Sequence, residues 1–566
     1  MRRVLAPFSS LAFVCAVALA ASAQVNPPVP PSPGPVNPPA GAATPLPRPP
    51  PPPAPPASAT ESPVAPAPAE STTPAPLATP TQPPIIVEPP QLNVEPGRTV
   101  SARVNSALGS VSAAVADPGV ATVVVDQAQR VIYVSGVKVG TTSVTVTDTR
   151  GLTREVPVRV AYAAGIVADE TTLRVTGNPT SAEYLRAAIA DAVERAATLR
   201  PGVSLDISPD TVPLHSDLRI DNRTEVDVPV QISGSGYLPV SGTTHVIVEN
   251  TALPPIQPAR LLVSDYPERL TANGVLFTAR LDRTQAQRFL YYHYNAASEP
   301  ARRVLLKARN ASNAPALIQM IDGVAGPGAN EMEVGHLSTK RFLVREARNE
   351  GQVRIIPPGG TINLVDHPMP PQSVVSAILQ LRLVSGDPVE LALVAQDAQA
   401  PVDQSIDTTK LLVGGALHAR GVYPVPTFFF DRTYDVDGAD LDIAIGQLPL
   451  PNLREGEALS GDYGVEQSMS VVIVNMTRAP RPIALYANPR GGRATGTFII
   501  DGVVVQAHAL APFSRFKLWQ ETINAGTFRR IKIVTMPEGG SSYPLRLTFA
   551  PDDGSVSPGA PGSPIY

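Results

Sequence analysis

The chain has 566 residues, 43% of them hydrophobic, and a formal net charge of -4 from 45 basic and 49 acidic side chains. So small a charge over that length excludes a basic face for nucleic acid and an acidic tail built for a cationic partner. A single tryptophan, Trp519, excludes a tryptophan-lined sugar cleft, and a single cysteine, Cys15, excludes a disulfide framework.

The N-terminus reads as an export signal over residues 1–23. Arg2 and Arg3 supply its positive start, residues 11–20 its apolar run, and Ala21-Ser22-Ala23 a small-residue cleavage site before Gln24. Phe13 and Val14 occupy positions where a lipidation signal at Cys15 would want small residues. Cleavage after Ala23 removes the only thiol. Residues 24–84 are Pro, Ala, Ser and Thr with almost no charge and no aromatic side chain, a composition that cannot build a core and favours an extended stalk. At about 3.1 Å per residue, roughly 60 such residues reach about 190 Å.

Residues 85–163 alternate with period two. Strands are expected near 92–94, 111–115, 121–125, 131–134, 143–147 and 156–160, with breaks at Asp117-Pro118-Gly119, Gly136, Gly140 and Gly151. Short strands at this spacing predict an Ig-like β-sandwich. The order Leu92-x-Val94-x-x-Gly97, Ala116-Asp117-Pro118-Gly119-Val120, Ser135-Gly136-Val137-Lys138-Val139-Gly140 and Val144-Thr145-Val146-Thr147-Asp148 resembles the N-terminal domain of bacterial pilus-formation proteins. It is also similar to bacterial Ig-like domains of invasin- and intimin-type adhesins. The first resemblance implies a role beside pili or secretion systems, and the second a role in surface display.

Residues 165–263 predict a small α+β module. Thr180-Ser181-Ala182-Glu183 opens a helix over 180–199 with an apolar stripe of Leu185, Ala188, Ile189, Ala192, Val193 and Ala196, flanked by strands at 173–176 and 203–207. Two β-sandwiches follow at 267–399 and 411–550, the second read as a duplicate of the first, and residues 551–566 read as a disordered tail. The duplication rests on Asn310-Ala311-Ser312-Asn313-Ala314-Pro315 and Asn475-Met476-Thr477-Arg478-Ala479-Pro480, each between two strands. Downstream, Arg341-Phe342-Leu343 and Arg515-Phe516-Lys517-Leu518 are expected as matching strands, followed by matching strands at 353–356 and 531–534. These halves resemble uncharacterised domains of exported bacterial proteins, which implies no activity. The fold class is mainly β, tandem Ig-like sandwiches with one α+β module.

No catalytic frame stands out. His215, His245, His293, His336, His367, His418 and His508 show no metal-ligand spacing, and there is no nucleophile elbow or phosphate loop. The one candidate metal site is Asp435, Asp437, Asp440 and Asp442 around Gly438, closely spaced carboxylates of the kind that wrap calcium. It departs from the EF-hand, with Thr433 and Ala444 where the first carboxylate and the closing glutamate belong. Asn222, Asn310 and Asn475 begin Asn-x-Ser/Thr, read as turn residues in preference to glycan acceptors. Tyr291-Tyr292-His293-Tyr294 is expected as a strand with one buried and one wet face.

These signals predict an exported, non-enzymatic protein of the periplasm or cell surface, without a membrane span once the signal is removed. Its expected partners are envelope, pilus or secretion proteins, or surface glycans, and not nucleic acid. The alternatives are an adhesin unrelated to pili and an enzyme acting on envelope polysaccharide. The enzyme would need two inward carboxylates in an aromatic-lined cleft.

Overall fold

The computed structural model describes residues 83–401 and 407–555. The expected signal, the stalk up to residue 82 and most of the C-terminal tail lie outside the described residues. No helix among the described residues is long and apolar enough to cross a membrane.

The first sandwich pairs two four-stranded sheets. One runs Ile86–Glu88, Thr99–Asn105, Val131–Gly136, Ala121–Asp126, and the other Leu92–Val94, Thr153–Val160, Gly140–Asp148, Val111–Val115. Val94, Val104, Val134, Val144, Val146 and Val158 alternate inward and are buried, a core of β-branched side chains. Asp117 holds the Pro-Gly turn by accepting from the backbone N–H of Gly119 at 2.8 Å. Gly136 lies so close to the neighbouring chain that a Cβ there would sit 2.6 Å from the carbonyl oxygen of Glu95. The strand Thr99–Asn105 goes beyond the sequence reading, because its inward positions include the small Ala102 as well as Val104.

Helix α1, Ala182–Ala196, is capped by Ser181, whose hydroxyl accepts from the N–H of Tyr184. It ends earlier than expected because Thr198–Leu199 pairs with Gly165–Ile166 as a short ribbon. Leu185, Ile189 and Val193 bury against Leu173, Val175, Val228 and Val248. Residues 203–207 form no strand; Ile207 is instead tied to the helix by its N–H, which donates to Glu194.

A nine-stranded sheet runs through the centre of the protein. Its order is Arg223–Ile232, Val240–Asn250, Glu170–Thr176, Gly351–Ile356, Ala316–Gly328, Ser373–Ser385, Ala286–Asn295, Pro258–Ser264, Arg420–Tyr423. Segments separated in sequence at residues 263–267 therefore share one sheet: Val175 pairs with Gln352, and Leu262 with Phe289. A four-stranded sheet of Gly274–Leu281, Val389–Asp397, Arg302–Arg309 and Thr361–Met369 is stacked on one face through Phe277, Phe289, Leu306 and Leu393.

Helix α2, Glu331–Ala347, packs on the same broad sheet. It contains Arg341-Phe342-Leu343, so the expected strand there is a helix. Its close approach needs Gly323, where a Cβ would fall 2.2 Å from the carbonyl oxygen of Ser338. With both faces of the sheet covered, Tyr291, Tyr292 and His293 are all buried, and the expected wet face is absent.

The last sandwich stacks Thr427–Asp435, Glu466–Asn475, Thr527–Thr535, Ala494–Ile500 and Val503–Leu510 on Leu441–Ile445, Leu545–Pro551, Arg481–Pro489 and Phe516–Ile523. Residues 551–555, read as tail, are anchored: buried Lys517 pairs with Asp552 at 2.5 Å.

Strand pairing relates the two large sandwiches. Ala316–Gly328 pairs with Gly351–Ile356 and Ser373–Ser385, as Arg481–Pro489 pairs with Phe516–Ile523 and Leu545–Pro551. The counterpart of Phe516–Ile523 is thus Gly351–Ile356, one strand later than motif order proposed. Between the corresponding strands, one copy inserts α2 and the other the hairpin of Ala494–Ile500 and Val503–Leu510. These two insertions pack against each other.

Candidate functional site

The acidic run is divided among separate jobs. Asp435 accepts from the N–H of Asp437 at 3.1 Å and closes the turn, Asp437 pairs with Arg481 at 3.2 Å, and Asp442 holds Arg546 at 2.9 Å and Thr548 at 2.6 Å. Asp440 is exposed on the same turn. Among the described residues no three His, Cys, Asp or Glu side chains are gathered closely enough to hold a metal ion.

The buried tyrosines and histidines of the central sandwich form a structural network. Tyr291 Oη lies 3.0 Å from Nδ1 of His367, and His293 bridges Ser264 at 3.3 Å and the carbonyl oxygen of Pro267 at 3.0 Å. Burial pushes both histidines down to about 4, so both rings are neutral at ordinary pH. Ser264 and His293 are fully buried, beyond the reach of a substrate.

Charged chemistry collects where α2 meets the last sandwich. Nδ1 of His336 lies 2.9 Å from Glu538 and Nε2 lies 3.2 Å from the side-chain oxygen of Gln506. Both ring nitrogens face acceptors, an arrangement that suits an imidazolium, and the partners lift its pKa against the opposing effect of burial. Glu538 is itself fully buried and accepts from Thr495 and from Thr497 at 2.8 Å. Gly335 lets the backbones meet: a Cβ there would overlap the carbonyl oxygen of Gly539.

One helical stretch further along, fully buried Arg288 donates from one nitrogen to Glu346 of α2 at 2.8 Å and to Glu466 at 3.0 Å. Its other terminal nitrogen reaches the carbonyl oxygen of Pro426 at 2.5 Å, and its guanidinium lies 5.3 Å from the centre of the Phe342 ring. A cavity beside the two carboxyls is lined by Ile321, Leu343, Ile499 and Val534. It contains two inward carboxyls but no aromatic wall, and both carboxyls are bound to Arg288. Arg288, Glu346 and Glu466 were not singled out in sequence because they lie on three separate elements and share no local motif.

The first sandwich touches the α+β module through a short seam. Ala163 N–H donates to Glu95 at 2.8 Å, and Arg159 donates to the carbonyl oxygen of Tyr237 at 3.1 Å. On its open face Val124 and Tyr133 are paired across neighbouring strands and exposed.

Residues 88–161 match the family described as the pilus formation protein N terminal region. No curated protein matches the chain. Among solved structures, domains 4 and 5 of the S-layer protein SbsC are 23% identical over 13% of this chain and 50% of that one, with a TM-score of 0.12. A longer SbsC structure is 18% identical over 29% of this chain and 21% of that one, at 0.14. The Bacteroides ovatus glucan-locus protein SGBP-B, solved with a mixed-linkage heptasaccharide, is 9% identical over 54% of this chain and 72% of that one, at 0.13. The chain thus spans half or less of the first two, and at these TM-scores none of the three bears on function.

Proposed function

We propose that this chain is an exported, non-catalytic protein of the cell envelope that joins a pilus or secretion assembly through its first sandwich. The observation that carries this reading is the family match over residues 88–161. The short seam to the next module supports it, since among the described residues no strand of that sandwich packs extensively on a later strand or helix, leaving both sheets to meet a partner. The exposed Val124 and Tyr133 pair supplies an apolar contact there. The remaining sandwiches act as one rigid body behind it, consistent with the apolar core of Leu261, Leu290, Phe342, Tyr423, Ile499 and Met536 that joins the central and last sandwiches.

Affinity purification of the full chain from its own cells tests the proposal. Pilus or secretin subunits are expected to co-purify, and a V124E/Y133E variant that keeps its thermal transition is expected to lose them. Protease shaving that strips the protein from intact cells, with no envelope partner recovered, would replace this reading with free-standing surface display.

A further inference from the structure

The cavity between α2 and the last sandwich has a volume of about 190 Å³, well above what a single water needs. Exposed Pro255 and Gln257 stand at its rim, and Ile321, Leu343, Ile499 and Val534 make its walls apolar. Its polar groups are unevenly used. Gln380 donates its amide to the carbonyl oxygen of Ile256 at 3.0 Å, Asn349 donates to that of Leu253 at 2.7 Å, and Arg288 spends both terminal nitrogens.

Among the groups that line the cavity, what remains unpaired is an acceptor; Nε of Arg288 is also without a partner, but Arg288 does not line the cavity. Gln380 is only 5% exposed, and its side-chain oxygen has no hydrogen-bond partner. The charges are unbalanced in the same sense, because a single guanidinium faces two carboxylates. The surrounding strands supply no second cation to the cavity: Ser373–Ser385 contributes Gln380, Ala494–Ile500 contributes Ile499 and Thr527–Thr535 contributes Val534. The site therefore lacks one positive charge and has an excess of acceptors.

We propose that this cavity binds a short primary alkylammonium ion, whose N–H donors meet Gln380, Glu346 and Glu466 while its chain lies on Ile321, Leu343, Ile499 and Val534. A primary ammonium carries three donors and no acceptor, the complement of this lining. In the empty site the missing charge is supplied by a proton. Burial, and after it the proximity of Glu466, holds the Glu346 carboxyl above the ordinary range against the pull of Arg288. The incoming cation displaces that proton, so binding and proton release are linked. This site is independent of the pilus reading, which rests on residues 88–161 and survives a negative result here.

Calorimetric titration of the full chain with n-butylammonium chloride at about pH 6.5, in two buffers of different ionisation heat, tests the proposal. Saturable binding with release of one proton per ion is expected. Tetramethylammonium, which has no N–H donor, and n-butanol, which has no charge, are expected to bind at least about tenfold more weakly. Q380L and E346Q should each weaken n-butylammonium by a similar factor; should either variant fail to fold, the ligand series on the unaltered protein decides. Absence of saturable heat, equal binding of tetramethylammonium, or binding without proton release would each overturn the site. Nα-acetyl-lysine amide forms a further arm: its binding identifies a protein lysine side chain as the source, and its exclusion a free amine.

Discussion

Asn310 and Asn475, fully buried in different sandwiches, make the same hydrogen bonds from the same place in the chain's pairing. Asn310 accepts from the N–H and hydroxyl of Ser312 at 3.0 and 2.9 Å and donates to the carbonyl oxygens of Ala314 and Ile356 at 2.7 and 3.3 Å. Asn475 accepts from Thr477 at 3.0 and 2.7 Å and donates to Ala479 and Ile523 at 3.0 and 2.8 Å. Each therefore closes its own turn and staples it to the strand of the same rank, Gly351–Ile356 or Phe516–Ile523. The shared hydrogen bonds and strand pairing define the correspondence between sandwiches more directly than the order of sequence motifs does.

Asn475→Ala removes one acceptor and leaves two buried carbonyl groups short of a donor. A loss of about 2 to 3 kcal/mol is expected in chemical denaturation, against about 1 kcal/mol for Thr477→Val. Asn310→Ala should behave like Asn475→Ala, and Ser312→Ala like Thr477→Val. A loss below about 0.5 kcal/mol for both asparagines would show that the turns hold without them.

The turns were legible because Asn-x-Ser/Thr carries its hydrogen bonds within a few residues, and the first sandwich was legible because Val144, Val146, Val156 and Val158 alternate strictly. Helix α2 was not. It is buried between a sheet and a second sandwich, so His336, Ser338 and Thr339 are as hidden as Val334, Phe342 and Leu343, and no clean apolar stripe survives. The Arg288 cluster was equally silent, since its carboxyls come from α2 and the strand Glu466–Asn475, far from Arg288 in sequence. The four aspartates near Gly438 gave the opposite lesson: their proximity in sequence reflects a turn and separate ion pairs.

The His336 to Glu538 contact should make stability depend on alkaline pH. The folded pKa of His336 is raised above its ordinary value, so the folded form binds the proton more tightly than the unfolded chain. Its contribution is complete below about pH 6.5 and is lost as pH rises through the folded value. Unfolding free energy measured from pH 6 to 9 should therefore fall, and the fall should be shallower in H336Q. An unchanged slope in H336Q would assign the pH dependence to Glu346, whose raised pKa acts in the same direction.

His293 and His367 set the acid limit. Burial depresses both to about 4, so the unfolded chain takes up protons that the folded chain refuses. Stability from these two sites is complete above about pH 6.5 and declines as pH falls toward 4. H367Q should flatten the acid limb in a urea titration between pH 4 and 6.5, at some cost to stability at neutral pH. The Tyr291 hydroxyl, 3.0 Å from His367, is the group that then needs a new partner.

Removing Arg288 should be worse than removing the whole ion cluster. Arg288→Met leaves Glu346 and Glu466 facing each other beside the cavity with no cation between them, and a loss of about 3 kcal/mol is expected from the stranded carboxyls. Replacing all three together, as R288M/E346L/E466L, removes both the charges and their desolvation, and should recover most of that loss. The comparison is a denaturation experiment on the full chain at pH 7, with the joint variant expected at least about 2 kcal/mol above R288M. If the joint variant is instead the less stable, the triad contributes net attraction beyond its desolvation cost. Arg288 would then hold α2 against the last sandwich through its charge, and the apolar contacts of Phe342 and Ile499 would be secondary.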